Sequence, residues 1–370
     1  ETYSNCKISV TDNASNTSNN LSVNTFTIDT VKPVLEQVTA VTTPTKDPTP
    51  GYAFSSDEAG TISYGGSSCS PGGSITYGGS CSSSTTASTT DNNTINFNAL
   101  ADETYSNCKI SVTDNASNTS DNLSVNSFTI DTVKPILAQV TPVTTPTNNT
   151  TPGYAFSSDE AGTISYSGCS QGGTSAINGT NSISFGTLSE ASYSCTITVT
   201  DSAENASSEL SVNTFVIDTT APTVSSISSS TSDGVYKSND NITVTVSFNE
   251  NVIVDNSSGN PRIQLETGTN DRYASYISGN STNILSFLYT VRSGDNSSVL
   301  DYKATDSLSA NSSNIRDNAT NNATLTLTSP GASGSLGANK SIVVDGIVPT
   351  VTNVSSSTDN GSYTLNDNIT

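Results

Sequence analysis

The side chains in this chain that could do chemistry are carboxylates and amides in short polar segments that recur along the sequence. One segment type carries an Asp-Glu pair, as in SSDEAG at Asp57 and Glu58, and another carries an Asp and an Asn four residues apart, as in DNASN at Asp114 and Asn118. Oxygen ligands from several loops suit Ca²⁺, which accepts about six to eight of them in a flexible geometry. These residue types therefore predict cation binding if the fold brings the segments together.

Catalysis by these carboxylates is a weaker interpretation. Paired acids such as Asp57 and Glu58 could transfer protons, but the chain contains no His and offers no convincing pair of nucleophile and base. We therefore expect that the protein is not an enzyme.

Composition and charge limit the fold and the partners of the chain. Only 32% of the 370 residues are hydrophobic, so several small cores are expected rather than one large core. The net charge of -21 would repel nucleic acid phosphates and anionic lipid heads, which argues against nucleic acid and membrane surfaces as partners. No stretch approaches the run of about 20 apolar residues that a membrane helix needs, so no membrane insertion is expected in this segment.

Internal repeats divide the chain into modules. The segment ETYSNCKISVTDNASN at Glu1 returns at Glu103 and, in altered form, near Ala191. Motifs with IDT or VDG followed by Pro mark the boundaries, because Pro cannot donate to a sheet ladder, and these linkers are too short for flexible tethers. The predicted domains are the C-terminal part of a module at 1–30, complete modules at 31–131, 132–219 and 220–346, and the start of a further module at 347–370.

The sequence pattern of the middle module predicts β-strands alone. In CTITVTD the side chains of Cys195, Ile197 and Val199 alternate with Thr, which indicates a strand with one face in a core. Clusters of Gly, Asn, Ser and Pro separate the strand-like runs, as in an all-β sandwich, and no convincing amphipathic helix is found. The predicted strands are Ile136–Thr144, Tyr154–Ser158, Gly162–Tyr166, Ser182–Phe185, Tyr193–Thr200 and Leu210–Ile217.

The placement of the six cysteines predicts one disulfide in each of the first two complete modules, as expected in an oxidising compartment. In a seven-strand sandwich the end of the third strand and the start of the sixth lie at the same pole, so Cys169 is predicted to pair with Cys195. A local duplication leaves Cys69 and Cys81 competing for Cys108, and Cys81 is the preferred partner. In the alternative interpretation, all six thiols are reduced and merely buried.

Two sets of motifs distinguish the complete modules. The first two carry IDTVKP, SSDEAGTISYGG and YSNCKISVTDNASN or variants of them. The third has no Cys, must be held by its core alone, and carries DGVYKSNDNITVTVSFNENV, RIQLETG and LGANKSIVVDG. These motifs resemble those of bacterial immunoglobulin-like repeats of very large surface proteins, and the resemblance covers nearly the whole chain. It implies a tandem array of immunoglobulin-like β-sandwich modules in an extracellular adhesin, surface-layer or biofilm protein, many of which are stiffened by calcium.

In such a sandwich the loops after the second and sixth strands share the pole at which the chain enters, next to the preceding linker. Three acidic clusters are therefore predicted, each made of a linker Asp and side chains from these two loops. The candidate Ca²⁺ ligands are Asp29, Asp57, Glu58, Asp114 and Asn118 in the first cluster, Asp131, Asp159, Glu160, Asp201 and Asn205 in the second, and Asp218, Glu250, Asp317 and Asn321 in the third.

The same segments also have a purely structural explanation. Asp and Asn cap tight turns with their own side chains and tolerate left-handed backbone, so DNASN and DSAEN fit hairpin turns without any metal. Recurrence at three junctions favours Ca²⁺, whereas Ser15 and Ser117, which stand where such repeats usually carry Gly, count against it. Both interpretations stay open on the sequence alone.

The sequence supports three functional hypotheses. The first is a stalk or spacer of a giant bacterial adhesin or surface fibre, whose direct partners are neighbouring modules and which contacts a host or matrix surface through domains outside this segment. The second is a self-assembling filament or sheath built from copies of the chain. The third is an array that binds glycans or proteins, which needs an exposed patch repeated on every module, and aromatic residues are only 6% of the chain.

Overall fold

The computed structural model describes residues 1–65, 87–169 and 172–370. Strands make up 43% of the structure and helix 1%, so the predicted all-β fold is confirmed. The helix described is the single turn Leu336–Asn339 (α1), whose amide at Ala338 donates to the Ser335 hydroxyl. Two compact units divide the chain, with residues 1–143, 153–186 and 194–213 in the first and residues 144–152, 187–193 and 214–370 in the second.

The strands are numbered in chain order. Residues 1–131 contain β1 Thr2–Tyr3, β2 Lys7–Ile8, β3 Leu21–Ser22, β4 Phe26–Thr27, β5 Leu35–Thr39, β6 Gly51–Ser56, β7 Gly60–Gly65, β8 Ala87–Ser88, β9 Asp91–Asn96, β10 Thr104–Tyr105, β11 Lys109–Asp114, β12 Leu123–Ser124 and β13 Phe128–Thr129. Residues 132–219 contain β14 Leu137–Thr141, β15 Gly153–Ser158, β16 Gly162–Ser167, β17 Ser175–Ala176, β18 Gly179–Ser184, β19 Ala191–Tyr193, β20 Thr196–Thr200, β21 Leu210–Ser211 and β22 Phe215–Ile217.

The remaining strands follow residue 219. They are β23 Val224–Ser229, β24 Gly234–Tyr236, β25 Asn241–Asp255, β26 Arg262–Glu266, β27 Arg272–Ser278, β28 Thr282–Thr290, β29 Asn296–Ser297, β30 Asp301–Tyr302, β31 Leu308–Ser309, β32 Asn314–Arg316 and β33 Ile342–Asp345.

The first unit contains the same pair of sheets twice. One pair has the strand orders β5-β6-β9 and β12-β11-β7-β8, and the other has β14-β15-β18 and β17-β16-β20-β21. The registers also correspond, since Tyr52 lies opposite Ile95 in β9 and Tyr154 lies opposite Ile183 in β18. Repeated sequence has therefore produced repeated topology and register.

A sandwich core fills the space between the first pair of sheets. Alternate residues of each strand are buried, which is the period-two pattern of a strand with one face in a core. Both sheets contribute to one hydrophobic cluster, which includes Tyr52, Phe54 and Ile95 from one sheet and Ile62, Ile110 and Val112 from the other. The predicted alternation in the middle segment is also found, with Cys195, Ile197 and Val199 at 1%, 0% and 0% exposure.

Two predicted strands of the middle segment are each divided. The run Tyr193–Thr200 forms β19 and β20, and the run Leu210–Ile217 forms β21 and β22. At the second break the Asn213 side chain accepts from the amide of Val143 at 2.9 Å and donates to its carbonyl at 3.0 Å. The Asn213 side chain makes the two hydrogen bonds that the backbone of a neighbouring strand would make, so the backbone pairing is interrupted at this residue.

The cysteine predictions have different outcomes. Cys169 and Cys195 form a disulfide with Cα atoms 5.5 Å apart, next to the paired residues that end β16 and begin β20, so this pairing is confirmed. Cys108 is buried, but Cys69 and Cys81 lie outside the described residues, so the choice between them stays a prediction. Cys6 is free.

The second unit is built around the 15-residue strand β25. Its main sheet has the order β23-β25-β28-β27-β26-β30, with β31 paired to β26 and β32 paired to β25, and a second sheet has the order β24-β33-β29. A separate small sheet joins β19 to β22. One hydrophobic cluster extends from Ile227 to Val344 and includes Val246, Phe287 and Leu300. The module boundaries themselves stay a prediction.

Candidate metal site in three acidic clusters

Three groups of carboxylates lie close together within the part of the chain that the structure describes. In each group, one carboxylate oxygen from each of three residues lies within 4.8 Å of the other two. Every group combines a linker Asp, a Glu that follows a strand or lies within one, and an Asp at the end of a strand. The groups are Asp29, Glu58 and Asp114 in the first cluster, Asp131, Glu160 and Asp201 in the second, and Asp218, Glu250 and Asp317 in the third.

The strand-end Asp of each cluster is positioned by a turn that its own side chain stabilises. The amides of Ala203 and Asn205 donate to Asp201 Oδ1 at 2.8 and 2.9 Å, and Asn205 Nδ2 donates to Asp201 Oδ2 at 2.9 Å. The turns at Asp114 and Asp317 contain the corresponding bonds from Asn118 and Asn321. The structural explanation of DNASN and DSAEN is therefore correct for the local fold, and it leaves further acceptor sites on each carboxylate.

Left-handed backbone recurs at one position of these turns. The residue before each Asn has a positive φ, and this position is occupied by a non-glycine residue every time. The four residues are Ser15 at 70°, Ser117 at 71°, Glu204 at 69° and Thr320 at 74°. The turn hydrogen bonds compensate for the steric cost of that conformation.

Each turn Asn also binds the preceding linker. Asn205 Nδ2 donates to the carbonyl of Asp131 at 2.8 Å, Asn321 Nδ2 donates to that of Asp218 at 2.8 Å, and Asn118 Nδ2 donates to that of Asp29 at 3.2 Å. The amide nitrogens predicted to belong to ligand residues thus hold the linker Asp against the turn. Asn118, Asn205 and Asn321 position the carboxylates of each cluster.

Asp57 and Asp159 lie outside the three-carboxylate groups. Asp57 Oδ1 accepts from the Val34 amide and Asp159 Oδ1 from the Ile136 amide, both at 2.7 Å. In the third cluster the same bond is made by the neutral side chain of Asn249, which accepts from the Thr223 amide at 2.7 Å. A neutral amide serves equally well, so this position fixes the strand that follows the linker and does not require a charge.

The Glu of each cluster is the group most affected by crowding. Burial raises the pKa of Glu58, Glu160 and Glu250 above the ordinary range, and the neighbouring carboxylates of the same cluster raise it further. In contrast, the hydrogen bond from Asn118 lowers the pKa of Asp114. In the first cluster the turn therefore holds Asp114 ionised, whereas Glu58 carries the cost of the uncompensated negative charge.

The second and third clusters are more enclosed than the first. Asp317 is 2% exposed and Asp201 is 8% exposed, whereas Asp114 is only partly buried. Glu160 Oε2 is buried and has no hydrogen-bond partner among the described residues. A buried carboxylate oxygen without a donor is costly unless a cation neutralises it, so this atom fits a metal ligand.

The spacing of the carboxylates fits calcium. Two oxygens bound to one Ca²⁺ at about 2.4 Å can be at most about 4.8 Å apart, and the oxygens of each cluster satisfy that limit. Three carboxylates from separate loops leave room for water and backbone carbonyls to complete the coordination sphere. The donor set contains oxygen alone, which suits Ca²⁺ better than softer metals.

The sequence analysis missed a second set of acids beside the linkers. Asp102 accepts from the amide and hydroxyl of Thr132, and Glu190 accepts from the amide and hydroxyl of Thr219 and from the hydroxyl of Thr220. These hydrogen bonds lower the pKa of Glu190. The signal was present, because both acids stand three residues before a Tyr that precedes a repeated Cys.

Comparison of the sequence with known families and proteins finds no match. No family model matches the chain. No curated protein matches its sequence. In the described ranges, no helix has the length and apolar character needed to cross a membrane.

Some solved structures are weakly similar. The fibronectin(III)-like modules of Clostridium thermocellum CbhA align with a TM-score of 0.31 and 11% identity, over 50% of this chain and 94% of that one. E. coli alpha-2-macroglobulin aligns at 0.18 and 9% over 79% of this chain and 22% of that one. The extracellular region of plexin A4 aligns at 0.18 and 14% over 73% and 23%. The chain thus spans less than a quarter of the length of the latter two.

Proposed function

We propose that the chain is a non-catalytic structural repeat segment of an extracellular bacterial surface protein, an adhesin stalk or surface fibre, and that Ca²⁺ stiffens its junctions. One observation carries the proposal. The same three-carboxylate arrangement recurs three times, and each time it joins a linker Asp to a Glu and an Asp from two other parts of the segment that follows. A cation bound there would fix the linker to both parts and remove the repulsion among the three acids.

Direct contacts beside the linkers support a stiff junction. Lys46 Nζ donates to the carbonyl of Glu204 at 2.9 Å, and the amide of Asn148 donates to the carbonyl of Ala319 at 3.1 Å. Each bond joins a loop of one predicted module to the Asp-Asn turn of the next. The turn that presents the strand-end carboxylate is therefore also a contact point, so ordering the turn orders the junction.

The disulfide supports a location outside the cytoplasm. A Cys169–Cys195 bridge is typical of proteins that fold in oxidising compartments. The acidic surface is compatible with an environment rich in divalent cations, because bound cations reduce the self-repulsion of a chain with a net charge of -21.

Thermal unfolding of the full chain tests the calcium proposal. We expect the unfolding midpoint in excess Ca²⁺ to exceed that in chelator, with stabilisation of about 2.7 kcal/mol per site at a hundredfold excess over Kd. The test variant combines Glu58→Gln, Glu160→Gln and Glu250→Gln, which keeps side-chain shape and removes one charge per cluster. Its matched control combines Glu36→Gln, Glu103→Gln and Glu209→Gln, three exposed glutamates outside the clusters.

The triple cluster variant should unfold at a higher temperature than the parent in chelator and respond little to Ca²⁺, whereas the control should respond fully. If the parent chain has the same unfolding midpoint in Ca²⁺ and in chelator, the proposed calcium binding at the junctions is wrong. The stalk itself is tested by electron microscopy of a native sample. Isolated rows of modules support it, and a repeating contact of more than about 1,000 Å² between chains would replace it with a filament.

A further inference from the structure

The arginines of the chain are concentrated in one region. All four lie in residues 220–346. Arg262 and Arg272 begin strands β26 and β27, and Arg292 lies two residues after the end of β28. In a chain with a net charge of -21, this group of guanidinium groups is a local exception to the acidic surface. A stalk function does not require it.

Arg272 and Arg292 border a concavity of about 400 Å³ on the exposed face of this sheet. Ile277 and Leu288 provide apolar lining, and Tyr273 lies in the wall with 44% of its surface exposed. Sites for small ligands enclose roughly 300–1,000 Å³. The concavity, called the arginine pocket below, therefore has the size of a site for one or two sugar units rather than for a protein surface.

A buried carboxylate orients Arg272. Asp295 is 1% exposed, and it accepts from Arg272 Nε at 2.9 Å, from the Tyr289 hydroxyl at 2.7 Å and from the Arg292 amide at 2.8 Å. These bonds occupy Arg272 Nε, while the terminal nitrogens of Arg272 and the whole Arg292 guanidinium have no partner among the described residues. The pocket thus holds donors that are positioned by the protein and free to bind an anion.

Other contacts fix the wall of the arginine pocket. The guanidinium carbon of Arg262 lies 4.2 Å from the centroid of the Tyr273 ring, a cation–π contact that holds the ring in place. Asp271 also lines the pocket; its Oδ2 is paired with Lys303, whereas its buried Oδ1 has no hydrogen-bond partner among the described residues. The Lys303 ammonium therefore offsets the negative charge of Asp271, and the Arg272 and Arg292 guanidinium groups remain the positive groups that line the pocket.

We propose that the arginine pocket binds a carboxylated sugar unit of an acidic polysaccharide. Arg272 and Arg292 would hold the carboxylate, because guanidinium groups bind carboxylates through paired, charge-assisted hydrogen bonds. Tyr273 and Ile277 would pack against the apolar face of the sugar ring. The site belongs to the third predicted module alone, so it is a single recognition point on a longer structural chain. It does not depend on calcium at the acidic clusters.

Calorimetric titration of the full chain with a galacturonic acid trimer tests the assignment. The buffer contains chelator, so Ca²⁺ cannot bridge the sugar to the acidic clusters, and the fully methyl-esterified trimer serves as the neutral ligand. Arg292→Ala and Tyr273→Ala change exposed side chains and keep the Arg272–Asp295 pair intact. Arg316→Ala is the matched control, because it removes the same charge from the same predicted module outside the pocket.

We expect the acid trimer to bind and the ester not to bind. Each pocket variant should weaken binding about tenfold or more, as loss of a hydrogen bond to a charged group does, and the control should bind as the parent does. The assignment is overturned by absence of binding, by equal binding of the ester, or by equal losses in the pocket variants and the control. If inorganic sulfate at the same concentration competes with the trimer, the pocket is a general anion site and the assignment to a sugar is wrong. Self-association that Arg292→Ala abolishes would assign the pocket to a second copy of the chain.

Discussion

The side-chain amide of Asn205 donates to the carbonyl of Asp131 at 2.8 Å while also donating to Asp201 at 2.9 Å. One side chain therefore fastens the linker to the turn that follows β20 and sets the distance between two of the three carboxylates of the second cluster. The relationship recurs at Asn118 and Asn321. These hydrogen bonds hold the linker Asp of each cluster against the turn that carries the strand-end Asp.

Replacement of this amide should loosen the junction. Asn205→Ala leaves the Asp131 carbonyl and Asp201 Oδ2 without these donors, so we expect a loss of about 1–3 kcal/mol in the free energy of unfolding, measured by urea denaturation. Asn118→Ala should cost less, because Asn118 is more exposed and its bond to the Asp29 carbonyl is longer, at 3.2 Å. Equal losses at the two positions would contradict this ranking.

Stability without metal should depend on pH in an unusual direction. The folded-state pKa values of Glu58, Glu160 and Glu250 lie above their ordinary value, so the folded chain binds more protons than the unfolded chain between the two values. In chelator, the free energy of unfolding should therefore rise as pH falls from about 7 to about 5. The lowered pKa values of Asp114 and Glu190 act oppositely, but their effect is confined to pH values near and below the ordinary values of 3.8 and 4.5.

The measurement is urea denaturation at both pH values in chelator. The triple variant Glu58→Gln, Glu160→Gln and Glu250→Gln should lose most of the rise, while the triple control at Glu36, Glu103 and Glu209 should keep it. In excess Ca²⁺ the trend should weaken or reverse, because protons compete with the metal for the same oxygens. A parent chain that loses stability over this range in chelator would refute the crowding argument.

The left-handed turn position should accept glycine with a gain in stability. Ser117 has a φ of 71°, a conformation that costs a residue with a Cβ atom but not Gly. We expect relief of this strain in Ser117→Gly to raise the free energy of unfolding by about 0.5–1 kcal/mol. Part of this gain is offset, because Gly increases the entropy of the unfolded chain. Asn115→Gly, in the same turn at ordinary φ, should destabilise. Thermal unfolding of both variants in chelator checks the contrast, and a loss in both would show that the turn is not strained.

Removal of the disulfide should destabilise the middle segment. The bridge between Cys169 and Cys195 spans 26 residues, and the chain-entropy estimate for such a loop is about 3.5 kcal/mol. Cys169→Ala combined with Cys195→Ala should therefore lower the denaturation midpoint under oxidising conditions. Cys6→Ala should have little effect because that thiol is free. A double variant whose denaturation midpoint equals that of the parent would contradict the prediction.

The local patterns were enough to predict much of the fold. The alternation of Cys195, Ile197 and Val199 predicted a half-buried strand, and all three are buried. The spacing of Cys169 and Cys195 around two strand-like runs predicted their disulfide. The period of a strand is visible in neighbouring residues, and the order of the strands follows from the order of the strand-like runs along the chain.

Side-chain partners across the chain were harder to foresee. The strand-like run Leu210–Ile217 is broken because Asn213 bonds to Val143, 70 residues away. Asp57 resembled Glu58 as a ligand in sequence, yet its carboxylate accepts from Val34 and lies outside the cluster. Neither hydrogen bond can be predicted from the residues that neighbour Asn213 or Asp57 in the sequence.

The sequence by itself determined that this protein is built of repeated β-strands with acids at each linker, because strand period, turn residues and repeat spacing are local properties. Only the tertiary structure decided which acids meet. Glu58, Glu160 and Glu250 come within 4.8 Å of two aspartates, while their neighbours do not. The reason is that Asp57 and Asp159 lie in bends between two strands, where each carboxylate accepts a hydrogen bond from the backbone amide of Val34 or Ile136 outside the cluster.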